Sequence, residues 1–254
     1  MDLTIQNSCQ IHFSEENMSN PYFKFKRFTV FHDKCAMKVG TDGVLLGAWA
    51  DVEGAGRILD VGTGTGLIAL MTAQRNPSAR IFAIDIDAAA ISQAEKNIRE
   101  SPFSAQISVL EADFRHFASS AGQQFDALVC NPPFFENSLK PTVLQRSIAR
   151  HSESLPMEEL LGGAKKLLSA RGSLSLVLPS DKLSKTEAVC EGLSLHIVRK
   201  TIVKPLPDSL PKRVLLEISP CFKSLAEDEI TLENSRHEHS DEYNQLTRDF
   251  YLKL

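Results

Sequence analysis

Four short stretches carry the residue types best suited to chemistry, and each follows an apolar run. The first, LDVGTGTGL, contains Gly62, Gly64 and Gly66. Glycines there would let backbone approach a ligand closely, and a helix that starts there would offer free N–H groups. A P-loop would require Gly-Lys-Ser/Thr, and a dinucleotide fingerprint would require G-x-G-x-x-G, so neither motif matches. A tight turn needed only for packing is the alternative.

Acidic residues follow the next two apolar runs, in the stretches AIDID and EADF. An acid at the end of the second strand can accept hydrogen bonds from both ribose hydroxyls of a nucleoside, and Asp85, followed by Ile86, is the better candidate. Asp87 could instead cap the next helix. Asp113 could accept from an adenine amino group, while Phe114 could lie against the ring. Together with the glycines, these strand ends predict one nucleoside site.

Asp60 lies within the glycine-rich stretch. Its carboxylate could orient the glycine backbone or accept a hydrogen bond from a ligand's amino group. A site with several acids and no phosphate-binding lysine suits a nucleoside that carries no phosphate. S-adenosylmethionine meets that description, because it joins adenosine to a sulfonium and an amino-acid tail.

The fourth stretch, NPPFF, follows the run FDALVC and begins at Asn131. The exocyclic amine of adenine or guanine is a poor nucleophile, because its lone pair is delocalised into the ring. Two acceptors on its N–H bonds would direct the lone pair at a methyl donor. Pro132 and Pro133 would make the bend rigid and free of donors. The ring of Phe134 could stack on a planar target for about 1–3 kcal/mol. The alternative for Asn131 is a turn-forming residue before proline.

The elements that must position these residues alternate regularly from Arg57 onward. Strands are predicted at RILDVG, ARIFAIDID, AQISVLEAD, FDALVCNP, GSLSLVLP, LHIVRKTIVKP and PKRVLLEIS, the last two as an antiparallel pair. Helices are predicted at TGLIALMTAQRN, AAAISQAEKNIRES, PMEELLGGAKKLLSARG and about residues 181–192. The alternation indicates an α/β fold, a mostly parallel seven-stranded sheet with helices on both faces. Upstream, FKFKRFTVFH predicts a strand or hairpin and DGVLLGAWA a short helix.

Composition bounds the class of protein. The 254 residues suit one large α/β domain, and five scattered cysteines without a C-x-x-C pair favour reduced thiols in a cytoplasmic protein over a disulfide or zinc framework. No apolar run approaches a membrane span, and the N-terminus lacks the pattern of a secretory signal. The triplet HEH at 237–239 has no partnering ligands, so no metal site is expected there.

The formal net charge of −4 hides an uneven distribution. Basic residues gather in residues 21–40 and again in residues 199–213, whereas acids gather in AEDEITLENSRHEHSDE. Local sign matters more than the total when a polyanion approaches a surface. Either basic group could bind nucleic acid or be an ordinary solvated surface.

In this order, LDVGTGTG, AIDID, ADF and NPPF resemble the class I S-adenosylmethionine-dependent methyltransferases that modify exocyclic or amide nitrogens. The segments FTVFHDKCAMKVGTDGVLLGAWA, QRSIARH, LPKRVLLEISP and YNQLTRDFYLKL further resemble the tRNA(Val) adenine-N6 methyltransferases. The resemblance extends from about residue 23 onward. It implies a Rossmann-like class I domain over residues 51–254, with residues 1–50 as an N-terminal extension packed on it.

The resemblance also implies an activity: methyl transfer from S-adenosylmethionine to N6 of an adenine in the anticodon loop of tRNA(Val). The Asn131 side-chain oxygen and the Pro132 carbonyl would be the two acceptors, and no metal is required. Lys38, Thr41 and Asp42 map to the segment that closes over the cofactor in related enzymes. Phosphate contacts would come from local basic residues: Lys24, Lys26, Arg27, Arg146, Arg150, Lys212 and Arg213. We expect a monomer that does not associate with membranes.

Three alternatives remain open at this stage. Many family members carry tyrosine where this chain has Phe134, and phenylalanine also matches some guanine-N2 RNA methyltransferases. A protein glutamine-N5 methyltransferase would carry a separate helical N-terminal domain, for which residues 1–50 are too few. A catalytically silent RNA-binding module would not need Asp60, Asp85 and Asn131 together.

Overall fold

The structure is a computed structural model that describes residues 20–33, 38–133 and 155–252. Its strands are β1 (Tyr22–Lys24), β2 (Thr29–Phe31), β3 (Arg57–Val61), β4 (Arg80–Asp85), β5 (Ile107–Glu111), β6 (Phe125–Cys130), β7 (Leu168–Pro179), β8 (His196–Lys204), β9 (Arg213–Ser219), β10 (Ala226–Thr231), β11 (Glu233–Ser235) and β12 (Glu238–His239). Its helices are α1 (Thr41–Trp49), α2 (Leu67–Arg75), α3 (Ala88–Arg99), α4 (Phe114–Ser120), α5 (Met157–Leu167), α6 (Leu183–Gly192) and α7 (Asp241–Thr247).

The central sheet has the strand order β10-β8-β9-β7-β6-β3-β4-β5. Strand β9 runs antiparallel to both of its neighbours, and the other pairings are parallel. The predicted α/β class and the final antiparallel pair are therefore confirmed. The sheet has eight strands rather than the predicted seven, because β10 adds to its edge. The sequence of β10, AEDEIT, is acidic and mostly exposed, so it lacks the apolar signal of a buried strand.

Two hydrophobic cores lie on opposite faces of this sheet. Consecutive strand residues alternate between them, as in β3, where Ile58 belongs to one core and Leu59 to the other. Residues of α1, α2, α3 and α7 fill the first core, and residues of α4, α5 and α6 fill the second. Because both faces are covered, the central parallel strands β3, β4 and β6 are mostly apolar, which made them recognisable in the sequence.

The segment before β3 packs into the first core. Strands β1 and β2 form an antiparallel hairpin, in agreement with the prediction, and Phe25, Phe28 and Val30 are buried. Helix α1 lies close against α2, since a methyl group on Gly47 would lie 2.7 Å from the sulfur of Met71. This contact fixes the helix that precedes the first strand of the sheet.

Two local predictions differ from the structure. The helix predicted through LLSARG ends at Leu167, and Leu168 already pairs with Phe125 across an irregularity between β6 and β7. A side chain at Gly172 would lie 2.9 Å from the Phe125 carbonyl oxygen, so this glycine permits close strand contact rather than ending a helix. Helix α4 was not predicted, and its seven residues are too short for a clear apolar period.

Two adjacent glycines of α5 should respond oppositely to alanine. A methyl group on Gly163 would lie 2.5 Å from the ring of Phe114, whereas one on Gly162 would meet nothing within 4 Å. Gly163→Ala should lower the free energy of unfolding by about 1–3 kcal/mol through overpacking. Gly162→Ala should raise it by about 0.4–1 kcal/mol by restricting the unfolded chain. Urea unfolding followed by circular dichroism measures both, and equal shifts would contradict the packing.

Candidate active site

The glycine-rich loop joins β3 to α2 with backbone angles that require glycine. Gly62, Gly64 and Gly66 have φ values of 70°, 55° and 80°, in the left-handed region that other residues rarely adopt. The N–H groups of Gly62 and Thr63 both donate to the Ile84 carbonyl at 2.9 Å. The loop is thus fixed over the end of the neighbouring strand β4.

The buried side chain of Asp60 stabilises this loop through hydrogen bonds. Its side chain is 1% exposed, and Oδ2 accepts hydrogen bonds from Thr63 Oγ1 at 2.6 Å and from the Ala69 N–H at 3.1 Å. Ala69 lies in the first turn of α2, whose N-cap residue Gly66 has no side chain to accept these donors. Burial, together with the charge of Asp85, raises the pKa of Asp60 to about 7. Oδ1 is buried with no hydrogen-bond partner among the described residues.

Asp85 ends β4 and meets the same loop. Its Oδ2 accepts from the Gly64 N–H at 2.9 Å, and its Oδ1 accepts from the Asp87 N–H at 3.0 Å. Burial raises the pKa of this carboxyl. Asp87 caps α3 by accepting from the Ala89 N–H, and Ile86 between the two acids is exposed. Asp87 therefore has the helix-cap role that was its expected alternative, and the ribose contact of Asp85 stays a prediction.

Asp113 and Phe114 have structural contacts that the sequence reading missed. Asp113 is the N-cap of α4 and accepts from the backbone N–H groups of Arg115 at 2.7 Å and His116 at 3.4 Å. Partial burial opposes ionisation, but these hydrogen bonds and the Arg115 charge hold the pKa of Asp113 below its usual value. The Phe114 ring is 6% exposed and packs in the core against Gly163.

The expected contact of Phe114 with a ligand ring is therefore corrected, because the ring points into the second core. The sequence contains a signal for the helix start, because an aspartate before a segment with apolar residues is a common N-cap. It contains none for the direction of the Phe114 ring, which depends on the packing partner Gly163.

Asn131 leaves the sheet beside the glycine loop. In the register of the sheet, Cys130 pairs with Val61, and Val61 pairs with Ile84. Because these three strands are parallel and adjacent, the residues that follow them emerge side by side at one edge. Asn131 is half-buried, Pro132 is buried and Pro133 is exposed.

Helix α1 approaches the same strand end. A methyl group on Gly43 would lie 3.0 Å from Leu67 Cδ2 and 3.9 Å from Asn131 Nδ2. A larger residue at position 43 would press on both the glycine-loop helix and the Asn131 amide. The structure therefore brings α1, the start of α2 and Asn131 close together.

The residues expected to close over a cofactor lie at the start of α1. Lys38 and Thr41 are exposed, and Thr41 is the first residue of the helix. Asp42 Oδ2 forms an ion pair with Arg213 Nε at 2.8 Å. Arg213 is the first residue of β9 and pairs with Pro179 at the carboxyl end of β7. Arg213, which was expected to bind RNA, thus forms an ion pair with Asp42, which was expected to lie near the cofactor.

The basic residues predicted to bind RNA fall into three groups. Lys24 and Lys212 are exposed. Lys26 donates from Nζ to the Arg248 carbonyl, and the Arg27 guanidinium lies 5.1 Å from the Phe103 ring centroid. Arg146 and Arg150 lie outside the described residues, as does Phe134, the ring predicted to stack on the target base.

The second basic group of the sequence is largely neutralised by β10. Lys204 pairs with Glu229 at 2.9 Å and Lys200 pairs with Glu227, both across the β8–β10 edge. Arg199 lies 3.9 Å from Asp228 and also covers the ring of Trp49. The basic and acidic clusters that looked separate in the sequence are therefore neighbours in the sheet.

Among the described residues, no three His, Cys, Asp or Glu side chains come together as metal ligands would. None of the described helices combines the length and the apolar character needed to cross a membrane.

Comparison with known proteins gives this arrangement a family. Residues 35–193 match the model of the methyltransferase small domain. The chain is 48% identical over 238 residues to the tRNA1(Val) (adenine(37)-N6)-methyltransferase of Bacteroides thetaiotaomicron, which spans 93% of this chain and 100% of that protein. The chain belongs to this methyltransferase family. A relative with the same name from Trichodesmium erythraeum is 42% identical to this methyltransferase, again over 93% of the chain and 100% of the relative.

A solved structure supports the fold of this methyltransferase. The fold of this chain resembles the crystal structure of a predicted O-methyltransferase from Agrobacterium tumefaciens with a TM-score of 0.66, over 82% of this chain and 96% of that one. The sequences are 22% identical, so the likeness concerns the fold.

The polar atoms of the site fit S-adenosylmethionine. The unpartnered Oδ1 of Asp60 is suited to the ammonium group of the amino-acid tail. A Cβ on Gly62 would meet nothing within 4 Å, so there is open space beside the loop. The exposed Ile86 next to Asp85 offers an apolar contact for a planar base. This methyltransferase therefore has the donor, acceptor and apolar groups that such a cofactor needs.

Asp60→Asn should weaken S-adenosylmethionine binding about ten- to a hundredfold, because a hydrogen bond to a charged group is worth about 1.5–3 kcal/mol. The cationic ligand prefers the ionised carboxylate, and the pKa of Asp60 is raised to about 7. Wild-type affinity should therefore fall as the pH drops from about 7.5 to about 6. Asp60→Asn should remove most of this dependence, which isothermal titration calorimetry can measure.

Asp85→Asn is the matched control, since Asp85 is the neighbouring acid whose pKa is also raised. It should weaken binding while leaving part of the pH dependence that belongs to Asp60. Wild-type affinity that does not change over this pH range would contradict the role of Asp60.

Proposed function

We propose that this methyltransferase transfers a methyl group from S-adenosylmethionine to the exocyclic N6 of adenine 37 in the anticodon loop of tRNA1(Val). Relatives of that name are 42–48% identical over their whole length. The observation that most supports the proposed methyl transfer is the register of β6, β3 and β4. In this register, Asn131 lies beside the glycine loop and its buried Asp60.

Asn131 and Pro132 would act on the acceptor nitrogen. S-adenosylmethionine supplies an electrophilic methyl group on its sulfonium. The Asn131 side-chain oxygen and the Pro132 carbonyl would each accept one N–H of the adenine amine, which directs the nitrogen lone pair along the line of transfer. The methylated amine then loses a proton readily, so no strong base is needed. Catalysis is mainly positioning and preorganised polarity.

Rigidity at this strand end supports that role. Pro132 is buried and Pro133 is exposed, and neither has an N–H that could compete as a donor. Gly43 of α1 places a helix close to the Asn131 amide without a side chain between them. An amide between a rigid proline bend and a nearby helix would keep its orientation while a base enters.

Substrate access favours an anticodon loop. Bases in such a loop are already partly unstacked, so presenting one needs less than the few kcal/mol required in a duplex. We also propose that the protein acts as a monomer in the cytoplasm with tRNA as its partner, because one chain supplies the whole proposed site.

The proposal is tested by nucleoside mass spectrometry on tRNA from cells that lack the gene. After incubation with the protein and labelled S-adenosylmethionine, the label should appear in N6-methyladenosine, and oligonucleotide mapping should place it at position 37 of tRNA1(Val). Label in N2-methylguanosine would move the target to guanine. Label in protein and none in RNA would indicate glutamine methylation instead.

Asn131→Ala should lower the turnover number at least about a hundredfold, the usual effect of removing one preorganised polar group from a transition state. The affinity for S-adenosylmethionine should stay within about twofold of wild type, because the residue is assigned to the acceptor and not the donor. Single-turnover kinetics and calorimetry measure the two quantities. Asn234→Ala, which removes an exposed amide from β11, is the control. Loss of cofactor affinity in Asn131→Ala would contradict the assigned role.

A further inference from the structure

The β1–β2 hairpin has an outer face that none of the contacts above explains. Tyr22 pairs with Phe31 across the hairpin, and Lys24 pairs with Thr29. Directly opposite residues, and residues two apart in a strand, share one face. The Nζ of Lys96 in α3 lies 4.1 Å from the Phe31 ring centroid and so joins this face. We call Tyr22, Lys24, Phe31 and Lys96 the outer hairpin face.

One aromatic ring on this face is open to solvent. Tyr22 is 41% exposed, and its ring centroid lies 5.7 Å from that of Phe31, which supports it on one side. On the opposite face, Val30 is fully buried, and Phe23 is 36% exposed but packs against Phe25 and Tyr251. An exposed tyrosine supported by a second ring is not required by the core.

The charges of this face are not compensated by the described residues. Lys24 and Lys96 form no salt bridge within residues 20–33, 38–133 and 155–252. This contrasts with Lys200 and Lys204, whose charges are paired with acids of β10. Two such lysines beside an exposed ring attract a polyanion that also has flat bases.

Asn97 links the outer hairpin face to the cofactor loop. Its buried side chain accepts from the Phe31 N–H at 3.0 Å and donates to the Phe31 carbonyl at 2.8 Å. The same amide donates to the Thr65 carbonyl of the glycine loop at 2.9 Å. A ligand on the outer hairpin face would therefore lie one side chain away from the loop proposed to bind the methyl donor.

We propose that the outer hairpin face is a binding surface for the tRNA substrate, where Tyr22 stacks on an unpaired base and Lys24 and Lys96 contact the adjoining phosphates. This inference rests on the proposed function. An RNA loop offers unpaired bases and closely spaced phosphates together, which matches one open ring flanked by two cations. Neither Tyr22 nor Lys96 was singled out by the sequence, because they lie 74 positions apart and meet only through the packing of α3 on β2.

The test measures tRNA affinity by fluorescence anisotropy at several salt concentrations. Tyr22→Ala should raise the dissociation constant about tenfold with little change in salt dependence, whereas Tyr22→Phe should keep the affinity because it keeps the ring. The double variant Lys24→Gln with Lys96→Gln should reduce the slope of log affinity against log salt by about 1.5, as expected for two lost phosphate contacts. The affinity for S-adenosylmethionine should be unchanged in all three variants.

The matched control is Phe222→Ala with Lys223→Gln. Phe222 is 74% exposed, and its ring contacts His196 at the start of β8, the strand next to the edge strand β10. This control should bind tRNA like wild type. Thermal melting of each variant shows whether it is folded, and if Tyr22→Ala does not fold, the lysine variant and Tyr22→Phe still decide the outcome.

Two results would overturn the inference. Folded Tyr22 and lysine variants with wild-type tRNA affinity would show that this face is not a binding surface. Loss of S-adenosylmethionine affinity together with tRNA affinity would show a structural effect through Asn97. Either result, with wild-type protein still forming N6-methyladenosine in tRNA, leaves the proposed function intact, whereas wild-type protein that methylates no RNA contradicts the proposed function itself.

Discussion

The buried carboxylate of Asp60 is the constraint on which the proposed site depends. It receives hydrogen bonds from the loop at Thr63 and from the first turn of α2 at Ala69, so it fixes where β3 ends and where the helix begins. Burial makes its ionisation unfavourable and raises its pKa to about 7. Because the folded pKa lies above the ordinary value, this group lowers stability as the pH rises from about 4 to about 7. A buried acid with one oxygen that has no partner among the described residues is unfavourable for stability, and its presence at this position supports a role in binding a ligand.

The rest of the site follows from parallel register. Parallel strands buried on both faces read as long apolar runs, and their ends are marked by glycine, aspartate or asparagine. For that reason the order β3, β4 and β6, the glycine loop, the Asp87 cap and the position of Asn131 could all be predicted from the sequence. The inward position of Phe114 could not, because the residue after a helix cap and a residue that stacks on a ligand look alike until the packing partner, Gly163, is known.

The pairing of charged residues was the feature of the structure that the sequence predicted least well. The basic group around Lys200 and Lys204 suggested a surface for RNA, but a strand without apolar character, β10, lies alongside and pairs with it. Arg213 forms an ion pair with Asp42, which lies 171 positions earlier in the sequence. Such pairings depend on which strand occupies the sheet edge, and an acidic, exposed strand carries almost no periodic signal. The positively charged surface of the protein is consequently smaller than the number of basic residues in the sequence suggests.

Helix α1 shows how these distant pairings serve the site. At its end, the Trp49 indole donates to Thr201 Oγ1 at 2.8 Å, and Arg199 covers the indole ring. At its start, Asp42 is held by Arg213. Residues of β8 and β9 thus hold both ends of the helix that approaches Asn131. An edge that contributes no proposed ligand to the cofactor loop thus helps to position the helix on the acceptor side of the site, and Arg213, a candidate for RNA binding, takes part through its ion pair with Asp42.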